Sequence, residues 1–395
     1  MRILVLAPNT PGLASEDLIT YLEGTEHALD VMKHPVAPTA ERITTFSAGD
    51  VTVVRGKRIV PLTYRTDVAL TQELIQFRRR RHHRFSSRPF VQYDWVICLS
   101  PHLALAGLKL RKSGLVKKVV YWALDYYPTR YGKNGVISAS GFKAWAGLIA
   151  EKMYRNLESK VVRESDVRWV VTDGLVEGWR SGGYTWPLKG ASSRPTTVPH
   201  AITNVRTPIP FAERVFKQGL VWTGMLRPEF GFDVVLEAWP QLKAMFPEIF
   251  LQVTSRSGIP DRYEQLLGKS PYEAIKYLGF LDTKKKMEGL IAHSGAALGL
   301  YLPGSYKQYS DGARIKSYAA CGVPVITTSA IGSAKDVKEF GAGFVIEPTV
   351  FDLIDSVHSL LSDAQLNDAM SAGAHALAES CTADKVFSKA LESLV

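Results

Sequence analysis

Two places in the sequence combine residue types that do chemistry with spacing that would present them. The first is Ser310–Thr328, SDGARIKSYAACGVPVITT. Ser310, Asp311 and Gly312 carry helix-start chemistry: side chains that can cap, then a residue that lets backbone approach a ligand closely. Arg314–Cys321 reads as a short helix with Ile315, Tyr318 and Ala319 on one face. Gly322 stops it and Pro324 cannot extend it. Val323–Thr327 is apolar and β-branched, as a strand buried on both faces must be. The start of such a helix gathers N–H groups and partial positive charge, which suits a phosphate, and Arg314 adds a full charge and a bidentate fork. The plain alternative is a helix–turn–strand of any α/β protein. The second place is Asp125, delivered by the apolar run Lys117–Leu124, with His102 just past Asp94–Ser100. In open α/β sheets the carboxyl ends of strands line the ligand crevice. A carboxylate or an imidazole there can take a proton from an attacking hydroxyl. Asp125 could instead be the N-cap of a helix beginning at Tyr126–Pro128.

The elements that must hold these residues alternate along the chain. Arg2–Ala7 is a buried strand, Pro8–Ser15 a loop containing Gly12, and Glu16–Gly24 a helix, the opening of a doubly wound fold. Asp50–Pro61 holds two β-rich runs separated by Gly56, a hairpin or edge excursion. Thr71–Phe85 is a basic helix, Ala104–Lys112 a helix, and Val167–Thr172 a strand. Ser140–Ser165 is a long helix with Phe142, Trp145, Leu148, Ile149, Met153 and Leu157 near helical spacing, which favours core over a membrane-facing stripe. The rhythm restarts with strand Gly219–Gly224, helix Phe232–Phe246, strand Phe250–Thr254, short strand Tyr277–Phe280, helix Thr283–Ala292 and strand Ala296–Tyr301. Helices Leu353–Leu361, Asp363–Ser380 and Ala383–Leu394 close the chain. Such alternation implies parallel sheets in both halves. The expected domains are 1–204 and 205–382, with 383–395 crossing back to the first.

The formal net charge is +10, and it is unevenly placed. Residues 1–200 carry 29 Lys and Arg against 17 Asp and Glu, whereas residues 201–395 carry 19 against 21. Arg78, Arg79, Arg80, Arg81 and Arg84 concentrate the excess. They form either a solvated helix end or a patch for anionic headgroups. No apolar run approaches a membrane span, and Met1–Ala7 is too short for a signal peptide. Cys98, Cys321 and Cys381 show neither zinc spacing nor a disulfide framework, which fits a reducing cytosol.

Ser310–Thr328 resembles the nucleotide-diphosphate site of GT-B glycosyltransferases, where K-L-x-E-Y-x-A-x-G-x-P-V is common. Arg314 stands at the Lys position, Ile315 at the Leu, Tyr318 at the Tyr, and Gly322, Pro324 and Val325 end the pattern. Ser317 stands where many members carry a Glu that holds the donor ribose. Gly224–Asp233, GMLRPEFGFD, resembles the G-R-L-x-x-E-K-G-x-D loop of retaining members, with Met225 and Phe230 in place of the two basic residues. Tyr309 and Ser317 stand where those enzymes carry an acidic pair. Thr196–Val205 resembles the strand and turn closing the first domain. With these polar groups absent, Gly224–Met225, Pro228–Phe230 and Arg314 resemble instead the inverting bacterial exopolysaccharide glucuronosyltransferases of the xanthan pathway. Their catalytic Asp follows a strand reading V-Y-x-x-x-D, as Val120, Tyr121 and Asp125 do here.

The resemblance implies an α/β GT-B fold, two Rossmann-like domains facing a crevice, and transfer from a nucleotide sugar, a UDP-sugar above all. Asp125 would be the general base. Arg314 and the amides of Asp311, Gly312 and Ala313 would hold the diphosphate without a metal or other cofactor. Gly224, Met225, Tyr277, Gly279, Phe280 and Ser317 would hold the nucleotide, with core packing the alternative for Tyr277, Gly279 and Phe280. Gly12, His102, Tyr127 and Arg130 lie on the acceptor side. A glycolipid or glycan acceptor at the cytoplasmic face of an anionic membrane would explain the charge split, with no nucleic acid partner expected. The alternatives are a retaining transferase in which Asp125 is structural, and a non-catalytic binding protein of this fold using its basic face on membrane or nucleic acid.

Overall fold

The computed structural model describes residues 1–8, 14–34, 43–48, 51–56, 92–131, 142–187, 194–255, 258–281, 283–305 and 307–394. They form two units, Met1–Ala201 with Ala383–Val395, and Ile202–Thr382.

The first unit is built on an eight-stranded sheet. Its strands are β1 Arg2–Pro8, β2 Ala28–His34, β3 Ile43–Ala48, β4 Val51–Gly56, β5 Tyr93–Cys98, β6 Val116–Ala123, β7 Val167–Val170 and β8 Thr196–Thr197, in the order β4-β3-β2-β1-β5-β6-β7-β8. Ile3–Ala7, Trp95–Cys98 and Val119–Ala123 are buried without alternation, as strands covered on both faces must be. β2, β1, β5, β6, β7 and β8 pair in parallel. β3 and β4 form an antiparallel excursion at the edge of that parallel sheet: β2 pairs antiparallel with β3, and β3 with β4. The reason is connection length. A parallel crossover needs a dozen or more residues, and only residues 49–50 separate β3 from β4. The hairpin is therefore Ile43–Gly56, earlier than the pair of runs expected around Gly56; residues 57–61 lie outside the described residues.

Helix Phe142–Glu164 corrects a second expectation. Its buried stripe is Tyr154, Glu158, Val161 and Val162, spaced by four and by three. That stripe is offset from the apolar series read in the sequence, so Leu148, Ile149 and Met153 are 52%, 40% and 38% exposed rather than core. The side chains of Phe142 and Trp145 lie outside the described residues. At the helix's carboxyl end the buried Arg168 guanidinium donates to the carbonyls of Val162, Arg163 and Ser165. It thereby satisfies groups that a helix end leaves orphaned. The final helix, Ala383–Glu392, completes the core of this unit. Phe387 is fully buried and meets Trp122 edge-on at 5.9 Å, and Trp169 Nε1 donates to Ser393 Oγ at 2.9 Å.

The second unit has six strands: β9 Phe216–Thr223, β10 Phe250–Thr254, β11 Ile275–Tyr277, β12 Ser294–Gly299, β13 Val325–Thr328 and β14 Gly343–Ile346. Their order is β11-β10-β9-β12-β13-β14, with every neighbour parallel. Chain order runs outward from β9 through β10 to β11, then restarts at β12 and runs the other way. The gap between β9 and β12 is thus a topological switch point. The β9–β12 register slips at Gly295, where a side chain would meet the Lys217 carbonyl 2.1 Å away. β11 lies earlier than the strand expected at Tyr277–Phe280. Leu278 N–H still donates to Val253 O at 2.8 Å, but Gly279, at φ +71°, turns the chain away. Among the described residues no helix is long and apolar enough to cross a membrane.

Candidate functional site

In the second unit the chemistry gathers at the switch point. Arg314 follows the start of helix Ala313–Ala320 and is half-buried. Its guanidinium donates to Thr223 O at 3.2 Å, at the end of β9, and to Leu300 O at 3.3 Å, just past β12. It lies over the rings of Trp222 at 4.5 Å, Tyr301 at 4.9 Å and Phe230 at 5.7 Å. Those faces attract a cation, and the carbonyls fix its plane. The full charge is kept because neither partner is anionic. Phe230 is one of the two residues standing where the retaining pattern has a basic group, and here it is a wall of the Arg314 cage. Tyr318 explains why an aromatic hydroxyl belongs one turn further on. Its hydroxyl accepts from Thr223 N–H at 2.8 Å and donates to Leu298 O at 3.2 Å, so it joins β9 and β12 where their ladder ends. Burial raises its pKa, keeping it neutral.

The helix start differs from the sequence reading. Its N-cap is Gly312, which has no side chain to cap with, rather than Ser310 or Asp311. Two of the three amides expected to hold phosphate are committed inside the chain. Gly312 N–H donates to Ser333 Oγ at 3.0 Å, and Ala313 N–H to Asp311 O at 3.0 Å. The Asp311 carboxylate is buried against Lys316, which donates to it at 2.6 Å. Burial pushes the Lys316 ammonium down, but Asp311 beside it more than offsets this, and the net shift is upward. Lys316 was not read as functional in the sequence. Its signal is a lysine between Ile315 and Ser317 in a helix too short to have a wholly solvated face. Ala313, the first residue of the helix, is exposed.

The nucleotide candidates lie at strand ends of the same sheet. Gly224, at φ +101°, has open space where a side chain would stand. Met225 packs partly buried against the core. Tyr277 donates its hydroxyl to Ser255 O at 3.0 Å, Gly279 O accepts from Ser255 N–H at 3.1 Å, and Phe280 is 54% exposed. Ser317 turns its hydroxyl back to Ala313 O at 3.0 Å.

In the first unit Asp125 stands two residues past β6 and is only 3% exposed. His102 lies in helix Pro101–Lys112, whose N-cap Ser100 accepts from Leu103 N–H at 3.3 Å. The His102 ring meets Tyr154 edge-on at 5.3 Å, and Tyr127 stacks on the other side of that contact, 6.1 Å from Tyr154. Tyr127 donates its hydroxyl to Leu99 O at 3.2 Å. His102 and Tyr127 are thus brought together through Tyr154. Arg130 falls in helix Tyr127–Tyr131, its side chain outside the described residues. Gly12, Arg78, Arg79, Arg80, Arg81 and Arg84 also lie outside them.

A group the sequence did not single out sits beside this turn. Glu158, fully buried, accepts from Tyr121 Oη at 2.7 Å, Trp179 Nε1 at 3.4 Å and Tyr184 Oη at 3.5 Å. Burial pushes its carboxyl up to about 8, against the hydrogen bonds, which pull it down. The available signal was its phase, one turn after Tyr154 on the buried stripe.

Residues 217–363, within the second unit, match the family of glycosyl transferases group 1. No curated protein sequence matches the chain. Among solved structures, sucrose-phosphate synthase from Thermosynechococcus elongatus is similar, with a TM-score of 0.68 at 14% identity over 100% of this chain and 98% of that one. HepE from Anabaena, in complex with UDP, gives 0.64 at 14% identity over 100% and 99%. An E. coli structure titled trehalose-6-phosphate, bound with UDP-2-fluoro glucose, gives 0.67 at 12% identity over 100% and 99%. These likenesses establish two Rossmann-like domains of the GT-B fold. A group 1 glycosyl transferase match over residues 217–363 and the fold of these solved structures on both sides of it are what the chain shares with them.

Proposed function

We propose that the chain transfers a sugar from a UDP-sugar to a lipid-linked or polysaccharide acceptor in bacterial cell-surface glycan synthesis. The observation that carries the donor half is Arg314. It is a caged cation at the switch point, beside a helix start whose N-cap is a glycine. The diphosphate rests on that cation and on the first-turn N–H groups beyond Ala313. That HepE binds UDP and UDP-glucose supports the choice of nucleotide. Asp125 is the general base, taking the acceptor hydroxyl proton while the sugar's anomeric carbon leaves the diphosphate in one inverting displacement. The basic excess of residues 1–200 and the exposed Leu148, Ile149 and Met153 support an acceptor met at an anionic membrane.

The burial of Asp125 favours a second reading, a retaining transferase in which it is structural. One experiment separates the two. Asp125→Asn should lower turnover by about 10²–10⁴-fold, the range for losing a positioned base, with UDP affinity unchanged. The anomeric proton of the product, read by NMR, should show inverted configuration. Retained configuration, or near-normal turnover of the variant, restores the second reading.

A further inference from the structure

We infer that Glu158 is a positioning residue that fixes the turn carrying Asp125. The inference rests on the reading of Asp125 as the base. Tyr121, four residues before Asp125 on β6, donates its hydroxyl to Glu158 at 2.7 Å. The Tyr127 backbone, two residues after Asp125, lies close enough to the same carboxyl group to lower its pKa. One side chain therefore meets the chain on both sides of Asp125. Trp179 Nε1 at 3.4 Å, from helix Asp173–Ser181, and Tyr184 Oη at 3.5 Å, beyond it, complete the ring of donors.

Three side-chain donors from three separate segments converge on this one carboxyl group. Packing alone gives no reason for a carboxyl here. A buried acid is costly, and an apolar side chain of similar volume would fill the space as well or better. What an apolar side chain could not do is tie a strand, a turn and two further segments to one point. The turn is shaped around the next residue as well. A side chain at Gly182 would meet the Tyr126 hydroxyl at 2.5 Å, so that position has room only for glycine. The groups facing the cluster are Tyr121 from β6, Tyr126 and Tyr127 from the turn, and Trp179 and Tyr184 beyond. On Glu158's own helix Arg155, paired with Glu151 at 3.1 Å, interacts with Tyr126 and Tyr184.

The test compares Glu158→Ala, Glu158→Gln, Tyr121→Phe and Asp125→Asn with one donor and one acceptor, measuring kcat, donor KM and the pH–rate profile. Misplacement of a reacting group by about 1 Å costs about 100-fold, so Glu158→Ala should lose kcat on that scale with donor KM within about twofold. Glu158→Gln should recover most of that loss. Tyr121→Phe removes one hydroxyl and little volume, and one neutral hydrogen bond corresponds to about a threefold to tenfold loss of kcat. The acid limb, set by Asp125, should shift in Glu158→Ala and Tyr121→Phe, whereas a purely structural role would scale the profile without moving it. If Glu158→Ala does not fold, Tyr121→Phe decides. Normal kcat and an unmoved profile in Tyr121→Phe, with Asp125→Asn inactive, would reject the positioning role and leave the base in place. A fully active Asp125→Asn would overturn both.

Discussion

The pH dependence of stability should carry the signature of Glu158. Burial lifts its carboxyl from an ordinary 4.5 to about 8 in the folded chain. Between those values the folded state keeps a proton that the unfolded chain has released. Stability therefore falls as pH rises from 4.5 to 8, and levels off above 8, where both states are ionised. The full slope is about 1.4 kcal/mol per pH unit. Between pH 6 and pH 8 the slope halves at the top of the window, so the loss is about 2 kcal/mol. For a unit of about 200 residues that corresponds to a fall in Tm of about 4–8 °C. Other groups titrate in the same window, so the informative quantity is the difference from Glu158→Gln, which has the same shape and no proton to lose. Differential scanning calorimetry from pH 5.5 to pH 8.5 should show the two proteins converging as pH falls within the window if the proton is the only difference lost. Parallel Tm curves for wild type and Glu158→Gln across pH 6–8 would refute the reasoning: Glu158 would then be ionised throughout, held so by its hydrogen bonds.

Two further outcomes test the second unit. Arg314→Ala should weaken UDP binding far more than UMP binding in isothermal titration, because a diphosphate has more charge to lose contact with; equal loss for the two nucleotides would remove Arg314 from the diphosphate. Lys316→Met leaves the Asp311 carboxylate buried without its counter-charge, so urea unfolding should show a loss of about 3–5 kcal/mol, and a loss below about 1 kcal/mol would mean that water reaches Asp311.

The strand–helix rhythm was legible because strands buried on both faces read as continuous apolar runs, and β5, β6, β10 and β12 show that burial. Arg314 was legible because its place after a strand–loop–helix start is set by local sequence. What surrounds it was not. Trp222, Tyr301 and Phe230 reach it from three separate segments, and nothing in any one of them announces a cage. The amides of Gly312 and Ala313 were misread for a similar reason: Ser333, which takes one of them, lies 21 residues away in sequence. The long helix was misread by phase. Its apolar residues outnumber what one stripe can bury, and only packing decides that Tyr154 and Glu158 face inward while Leu148 and Ile149 do not. Glu158 itself was invisible because a lone glutamate on a helix is ordinarily solvated, and its partners Tyr121, Trp179 and Tyr184 come from three other segments.

Helix Ala383–Glu392 places residues made after the whole of the second unit in the core of the first. Phe387 fills the space against Trp122, and Ser393 satisfies the indole of Trp169. During synthesis, then, the first two hundred residues emerge with that space open and that indole unmet. The intervening residues, Ile202–Thr382, have their own core before Ala383 is made. Domains generally fold as units while the ribosome is still at work, so the order of completion here is inverted: the unit begun second is finished first. A ribosome stalled before Ala383 would hold a closed second unit and a first unit still open to proteases.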